Sequence, residues 1–378
     1  MSARKLSRSL RTWVEIDRSA IQKNCETFRS IIGPDVKLLA VVKSNAYGHG
    51  LTLFSGLVEN RVDGFCVDSA VEGIRVREFG IRKPILILGP TLPDLYDRSA
   101  SEGLTVSISN HDALRALMRC ARAPDFHLKI DTGMHRQGFS PHDVPKIFRH
   151  LKKLGESFRG VYTHFASAKD VNYPTFTEKQ YALFSDLCGL LRNKGFDTPA
   201  RPLIQHCAAT GATLLGKKYH LDAVRVGIGL YGLYPSKELE IQLPMIKLRP
   251  VLSWRTMISE IKFLAPGDYV GYDLAERLSR PTKIAVLPIG YWHGFPRSLS
   301  STGIVLINGR SARVLGRVSM DLVTVDATGI RCRVGDTATI IGKDARSERA
   351  VDDAARASGT IHYEFLTRLN PLMERVLT

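Results

Sequence analysis

No stretch of this chain is apolar for the roughly 18 residues that a membrane-spanning helix needs. Its basic N-terminus, MSARKLSRSLRTWVEID, lacks the apolar core of a secretory leader. Neither membrane insertion nor export is expected, and a cytoplasmic location is. Cysteine is sparse, with six in 378 residues (Cys25, Cys66, Cys120, Cys188, Cys207 and Cys332) and none in a C-x-x-C pair. No metal site is read from that pattern, and a chain this long needs no disulfides to build a core. Free thiols in a reducing compartment are expected. There is no low-complexity linker and no internal repeat. Acidic residues are in deficit, leaving a net charge of +16. The lysines and arginines are scattered, in clusters no longer than pairs such as Lys152-Lys153 and Lys217-Lys218. Without a basic block, an RNP motif or zinc-finger spacing, the charge reads as a basic surface, and no nucleic-acid partner is expected.

What is present is a globular composition, 44% hydrophobic and 24% charged, which excludes disorder, collagen and coiled coil as the main theme. Short apolar runs rich in β-branched residues cover 38–43, 64–69, 85–89, 104–109, 126–131, 159–165, 203–208 and 223–229. They read as buried parallel strands. Helical patterns lie between them at 19–32, 69–79, 112–122, 141–154 and 177–194. Ser69 before Glu72 and Thr177 before Gln180 look like capping boxes. Eight such strands predict an α/β fold, a (β/α)8 barrel, over residues 12–245. A doubly wound open sheet is the alternative. After about residue 245 the rhythm changes. Runs at 251–263, 283–288, 303–307, 313–316, 322–326 and 337–341 are separated by turn signals, of which Asn308-Gly309 is a strong hairpin signal. Residues 246–378 are expected to form a mainly antiparallel β domain, joined by residues 1–11, with one helix at 351–358.

Function in such a barrel collects where the strands end. The first strand ends in Lys43, the fifth runs into Lys129 and then Arg136, the sixth ends in His164, the seventh carries His206, and the eighth carries Arg225. A lysine closing an apolar strand is either a snorkelling side chain or a desolvated amine usable as nucleophile or base. A lone histidine is more often structural and a lone arginine more often an ion-pair partner. Their convergence on one barrel mouth points to a site. Thr210-Gly211 and 227–229 offer backbone N–H groups for a phosphate at the seventh and eighth strands.

At this point the chain resembles a known family. AVVKSNAYGHG at 40–50 is similar to the pyridoxal-phosphate (PLP) lysine motif of bacterial alanine racemases, and further matching pieces follow in order at 129–138, 162–166, 224–232, 270–272, 289–295, 316–321 and 361–364. The resemblance implies a PLP-binding barrel followed by a β domain, and an enzyme that interconverts L- and D-alanine, supplying D-alanine for peptidoglycan. It implies that Lys43 carries PLP covalently and acts as one base, with Tyr272 as the opposing base. It implies that Arg225 faces the pyridine nitrogen and that Arg136 supports the substrate carboxylate and the cofactor's phenolic oxygen. Lys129 matches a lysine, carbamylated in some members, that positions that arginine, and His164 a histidine that hydrogen-bonds the catalytic tyrosine. Tyr47, Thr210, Gly227, Ile228 and Tyr363 match phosphate contacts. Met320 matches a substrate-side residue from a partner subunit, and Tyr291 and Tyr363 tyrosines that narrow the entrance. A homodimer with composite active sites is implied.

The chemistry agrees with those roles. Moving a weakly acidic proton between the two faces of a carbon needs one acid/base group per face. An amine and a phenol can serve, the phenol helped by His164 and Arg225. A guanidinium stays protonated and cannot accept a proton from the pyridine nitrogen. Asp273, His293, Ser319, Ala209 and the ending Asn370-Pro371-Leu372-Met373-Glu374-Arg375 depart from the family pattern without removing a catalytic group. Competing expectations are a racemase for serine or other amino acids, a PLP-dependent decarboxylase (disfavoured by Arg225), a non-catalytic PLP carrier (disfavoured by the β domain), and a regulator that lost activity.

Overall fold

The computed structural model describes residues 9–378 apart from Val171 and Tyr173. The expectation that the first residues pack with the β domain falls outside the described chain for residues 1–8. Contacts divide the protein into two compact units.

One unit comprises Ala20–Ala46 and Leu51–Arg249. The chain's first strand, β1 (Thr12–Ile16), lies outside it. Its sheet has eight parallel strands: β2 (Lys37–Val41), β3 (Gly64–Val67), β4 (Ile85–Ile87), β5 (Leu104–Ile108), β6 (Phe126–Lys129), β7 (Phe158–Tyr162), β8 (Ile204–His206) and β9 (Ala223–Val226). Strands β2 to β8 neighbour in sequence order and β9 pairs with β2. The circle closes through Asp222 N–H to Gln205 O (3.1 Å), Arg225 N–H to Ala208 O (3.0 Å) and the bridge Ala209↔Arg225. This is the expected (β/α)8 barrel. Near-continuous apolar strands fit because both faces are covered: all of Gly64–Val67, Ile85–Ile87 and Ala223–Val226 is buried. The ladders end before the apolar runs do, so several chemistry-bearing residues sit just beyond them.

The helices follow the expected spacing. Arg18–Ile32 buries one stripe, formed by Ala20, Ile21, Asn24, Cys25, Phe28 and Ile32, at i, i+3/i+4 intervals. Half of the first capping box is present. Ser69 Oγ accepts from Glu72 N–H at 3.3 Å, but the Glu72 carboxylate accepts from Asp68 and Ser44 N–H groups instead of returning to Ser69. The second box is absent. The helix starts at Thr175, and Gln180 is spent on Ala166 N–H, Thr132 Oγ1 and His164 O. All six cysteines are free, and burial pushes the thiols of Cys25, Cys66, Cys188 and Cys207 up to about 12.

The other unit holds residues 9–19, Tyr47–Gly50 and Pro250–Thr378. Strand β1 pairs antiparallel with β10 (Leu252–Met257) and parallel with the last strand, Glu374–Leu377. The boundary expected at residue 12 therefore moves: β1 is held by sheet hydrogen bonds, Trp254 Nε1–H to Thr12 Oγ1 (2.9 Å) and the Arg255–Glu15 ion pair (3.0 Å). The run expected at 251–263 splits into Leu252–Met257 and Glu260–Leu264. The chain changes partner there, from Thr337–Asp344 to Thr282–Leu287. Asn308 and Gly309 have φ of 51° and 74°, as a two-residue hairpin between Ile304–Ile307 and Arg310–Leu315 requires. Among the described residues no helix is long and apolar enough to cross a membrane.

Candidate active site

Immediately after β2 and Lys43 the backbone does something L-residues avoid. Ser44, Asn45, Ala46 and Tyr47 have φ of 55°, 56°, 52° and 51°. A left-handed turn costs about 1–2 kcal/mol per residue, and four in a row persist only where the surroundings hold them. Here Ala46 N–H bonds Val42 O (2.8 Å), Asn45 Oδ1 accepts Leu51 N–H (2.9 Å) and Glu72 accepts Ser44 N–H (2.7 Å). Of the two readings open for a lysine closing an apolar strand, the half-exposed side chain of Lys43 fits the snorkelling one. Its side chain is 37% exposed, with Nζ 3.4 Å from Asp68 Oδ1. Such a pair contributes about 0–1 kcal/mol, so the amine is easily diverted to another partner.

Arg225, on β9, is the buried centre of the mouth. It donates to Thr163 O (2.8 Å), Cys207 O (3.2 Å), His206 O (3.3 Å) and His206 Nδ1 (2.6 Å), with His164 Nδ1 at 3.4 Å. A guanidinium only donates, which sets the tautomers. His206 accepts at Nδ1, so its neutral ring carries the proton on Nε2 and gives it to His127 Nδ1, 2.8 Å away. His164, accepting at Nδ1, likewise presents an Nε2 proton. The Tyr162 ring stacks on His206 (4.8 Å, 4°), and its hydroxyl is 2.8 Å from Ser107 Oγ. Gly160 is required beneath this chain, because a Cβ there would lie 2.7 Å from His127.

Burial first, and the cations around them second, hold His127 and His164 down to about 3 and His206 well below the usual histidine range. All three are neutral in the native state near pH 7 but bind protons when unfolded below about 6.5. Stability is therefore complete above that pH and falls as the pH drops toward 3, by about 1 kcal/mol per pH unit for each ring. Urea unfolding between pH 7 and 4 should show this slope, reduced by about a third in His127→Gln. A stability that is flat over that range would contradict it.

Lys129, buried at the end of β6, donates to Gln137 Oε1 (2.9 Å). Burial, followed by the charges of Arg136, Arg225 and Lys43, brings it down to about 8. Arg136 stands exposed at the end of a turn in which Asp131 Oδ1 accepts from Gly133 and His135 N–H groups. Thr210 opens the helix Thr210–Leu215, and its Oγ1 accepts from Gly227 (3.1 Å) and Gly229 (3.4 Å) N–H groups. The Gly227 N–H is thus engaged within the protein, whereas the Thr210 hydroxyl keeps its proton to give. Gly229 admits no side chain: a Cβ would lie 2.3 Å from Phe28 Cζ and 2.8 Å from Thr210 Cγ2. Gly229→Ala should cost about 1–3 kcal/mol of stability in urea unfolding. An unchanged midpoint would contradict this packing.

In the other unit, Tyr272 and Met320 are exposed, at 67% and 54%. Tyr272 follows Gly271 (φ 78°) and precedes Asp273 (φ 61°), whose carboxylate is 3.6 Å from Arg317 Nε. Tyr291 and Met320 lie on segments in backbone contact. Tyr291 N–H bonds Ser319 O and Trp292 N–H bonds Met320 O, both at 3.1 Å, and a Cβ on Gly290 would lie 2.2 Å from Met320 O. His293 is buried and accepts Gly290 N–H at Nδ1 (3.2 Å), closing the same turn. Tyr47 and Tyr363 have ring centroids 6.1 Å apart, and burial raises the Tyr363 phenol.

Sequence reasoning gave His206 no role and missed His127, Tyr162, Glu72 and Gln137. The available signal was a histidine inside each of two apolar strands, FHLK and IQH. What they bond to depends on neighbouring strands of the barrel.

The family model "Alanine racemase, N-terminal domain" matches residues 16–235, and "Alanine racemase, C-terminal domain" matches 251–377. The chain is 35% identical to the alanine racemase of Leptospira interrogans, over 97% of this chain and 95% of that one. It is 36% identical to that of Halothermothrix orenii, over 96% of each. Among solved structures, the alanine racemase of Bacillus anthracis with bound L-Ala-P aligns with a TM-score of 0.91 at 31% identity, over 97% of this chain and 95% of that one. One from Clostridium difficile aligns at 0.90 and 30%, over 98% and 96%. A chain matched along both domains by one family, and alike in fold to its solved members, belongs to the alanine racemase family and is an enzyme, a racemase.

Proposed function

We propose that this protein interconverts L- and D-alanine with PLP by a two-base mechanism, as a cytoplasmic homodimer that supplies D-alanine for peptidoglycan. The observation that carries the reading is a barrel mouth where Lys43, Lys129, Arg136 and Arg225 gather around two neutral histidines, half-buried His164 and buried His206. Such a site suits an anionic cofactor and a carboxylate substrate. The donor set fits PLP. Arg225 can donate to a pyridine nitrogen and never protonate it. The Thr210 hydroxyl and the phenols of Tyr47 and Tyr363 suit phosphate oxygens, and the Lys43 amine suits an aldehyde. PLP, when bound, lowers the cost of removing the Cα proton by delocalising its electron pair.

The chain's own residues do the rest. Lys43 Nζ exchanges a proton with Cα on one face and the Tyr272 phenol on the other. His164 Nε2–H is the donor that would steady the phenolate. Arg136 holds the substrate carboxylate, Lys129, once carbamylated and so anionic, would support Arg136, and Met320 and Tyr291 bound the substrate. Tyr272 and Met320 are exposed in the single chain, as residues delivered to a partner's barrel would be.

The test uses purified protein, PLP and L-alanine in D2O, following loss of the Cα–H signal by NMR and loss of optical activity. Both should occur together. Exchange with retained optical activity would remove the two-base mechanism, and the absence of both would remove alanine as the substrate. Sedimentation with activity measured across dilution tests the dimer, and a fully active monomer would refute the composite site.

A further inference from the structure

The last strand carries an arginine that the proposed chemistry leaves unused. Arg375 lies on Glu374–Leu377, paired with Val14 of β1, and is half-buried. Its donors all go to backbone carbonyls: Nε (3.3 Å) and Nη2 (2.9 Å) to Gly48 O, and Nη1 to Asn370 O (2.8 Å) and Met373 O. Burial brings the guanidinium down to about 10, against a smaller opposing pull from the neighbouring Glu374 charge. Desolvating a cation there costs free energy, which its hydrogen bonds to the three carbonyls offset.

Its carbonyl partners show what it holds. Gly48 directly follows Tyr47, the last residue of the left-handed turn. It has φ 83°, and a Cβ there would lie 2.1 Å from Leu366 O. Leu366 belongs to the helix His362–Thr367, which carries Tyr363. Asn370 in turn donates from Nδ2 to Trp292 O (2.9 Å) and from its backbone to His293 O (3.3 Å), reaching the turn of Tyr291. The fork thus ties Gly48, which follows Tyr47 and lies against the helix of Tyr363, to the carbonyls of Asn370 and Met373, and Asn370 carries the link on to the turn of Tyr291.

We propose that Arg375 is a positioning residue for the phosphate end of the cofactor, fixing Tyr47 through the Gly48 carbonyl against the helix of Tyr363. This rests on the reading that Tyr47 and Tyr363 contact the PLP phosphate. Arg375→Met removes the fork; Arg375→Lys keeps the charge but cannot span the three carbonyls.

The experiment compares equilibrium binding of PLP and of pyridoxal, which lacks the phosphate, to wild type and both variants. Thermal unfolding of each apoprotein runs alongside. PLP should bind Arg375→Met about tenfold more weakly than wild type, with Arg375→Lys between them, and pyridoxal should bind all three alike. Unchanged PLP binding, or equal weakening for PLP and pyridoxal, would overturn the role and reduce Arg375 to a stability residue. If Arg375→Met does not fold, Arg375→Lys decides by the same comparison. A wild type that prefers PLP no more than pyridoxal would instead overturn the phosphate reading, and this role with it.

Discussion

Tyr272→Phe should split the two halves of the reaction. With the phenol gone and the Lys43 amine intact, one enantiomer of alanine keeps exchanging its Cα–H for solvent deuterium while the other does not. Interconversion should fall by about 10²–10⁴, the usual contribution of one positioned acid/base group. Lys43→Ala removes both the amine and the covalent anchor, so exchange should vanish for both enantiomers. NMR in D2O starting from each pure enantiomer reads the difference. A Tyr272→Phe protein that still racemises near the wild-type rate would mean that another group serves that face. The prediction has a structural basis in how differently the two residues are held. Lys43 stands at the head of a turn with four left-handed residues, whereas Tyr272 projects from an exposed turn of the β unit.

Arg225→Glu should change which product forms. Wild-type Arg225 spends its donors on Thr163, Cys207 and His206 and can only donate to an aromatic nitrogen facing it. A glutamate there can share a proton with that nitrogen, which favours protonation away from Cα and hence side transamination. Pyruvate formed from alanine should rise relative to racemisation, as read by coupled NADH oxidation. An unchanged product ratio would remove this role. The variant also leaves His206 Nδ1 without its donor in a buried site, so stability should drop by about 1–3 kcal/mol. Arg225→Lys, which keeps a donor and a charge, separates lost folding from altered chemistry.

The eight barrel strands were legible because strands covered on both faces are short and continuously apolar. The hairpin at Asn308-Gly309 was legible because two consecutive positive φ values demand such residues. The position of β1 was not. TWVEI reads as a strand, but nothing local says that its partners, Leu252–Met257 and Glu374–Leu377, lie far along the chain. Thr177 and Gln180 misled for a similar reason. Their spacing suits a cap, yet Gln180 finds better partners in Thr132, His164 and Ala166, which only the barrel brings near.

The same distinction runs through the site. The local motifs, AVVKSNAYGHG above all, were enough to show the resemblance from which Lys43 and Tyr272 are proposed as the reacting groups, and residue type alone supplies what each offers, an amine, a phenol and, in Arg225, a guanidinium that only donates. Protonation and geometry depend on neighbours. The neutrality of His127, His164 and His206 comes from burial beside Arg225, and the depressed Lys129 from burial among Arg136, Arg225 and Lys43. The hold of Arg375 on Gly48 spans 327 positions. Desolvation and charge–charge coupling act through space, and a linear chain carries no record of those distances until it folds.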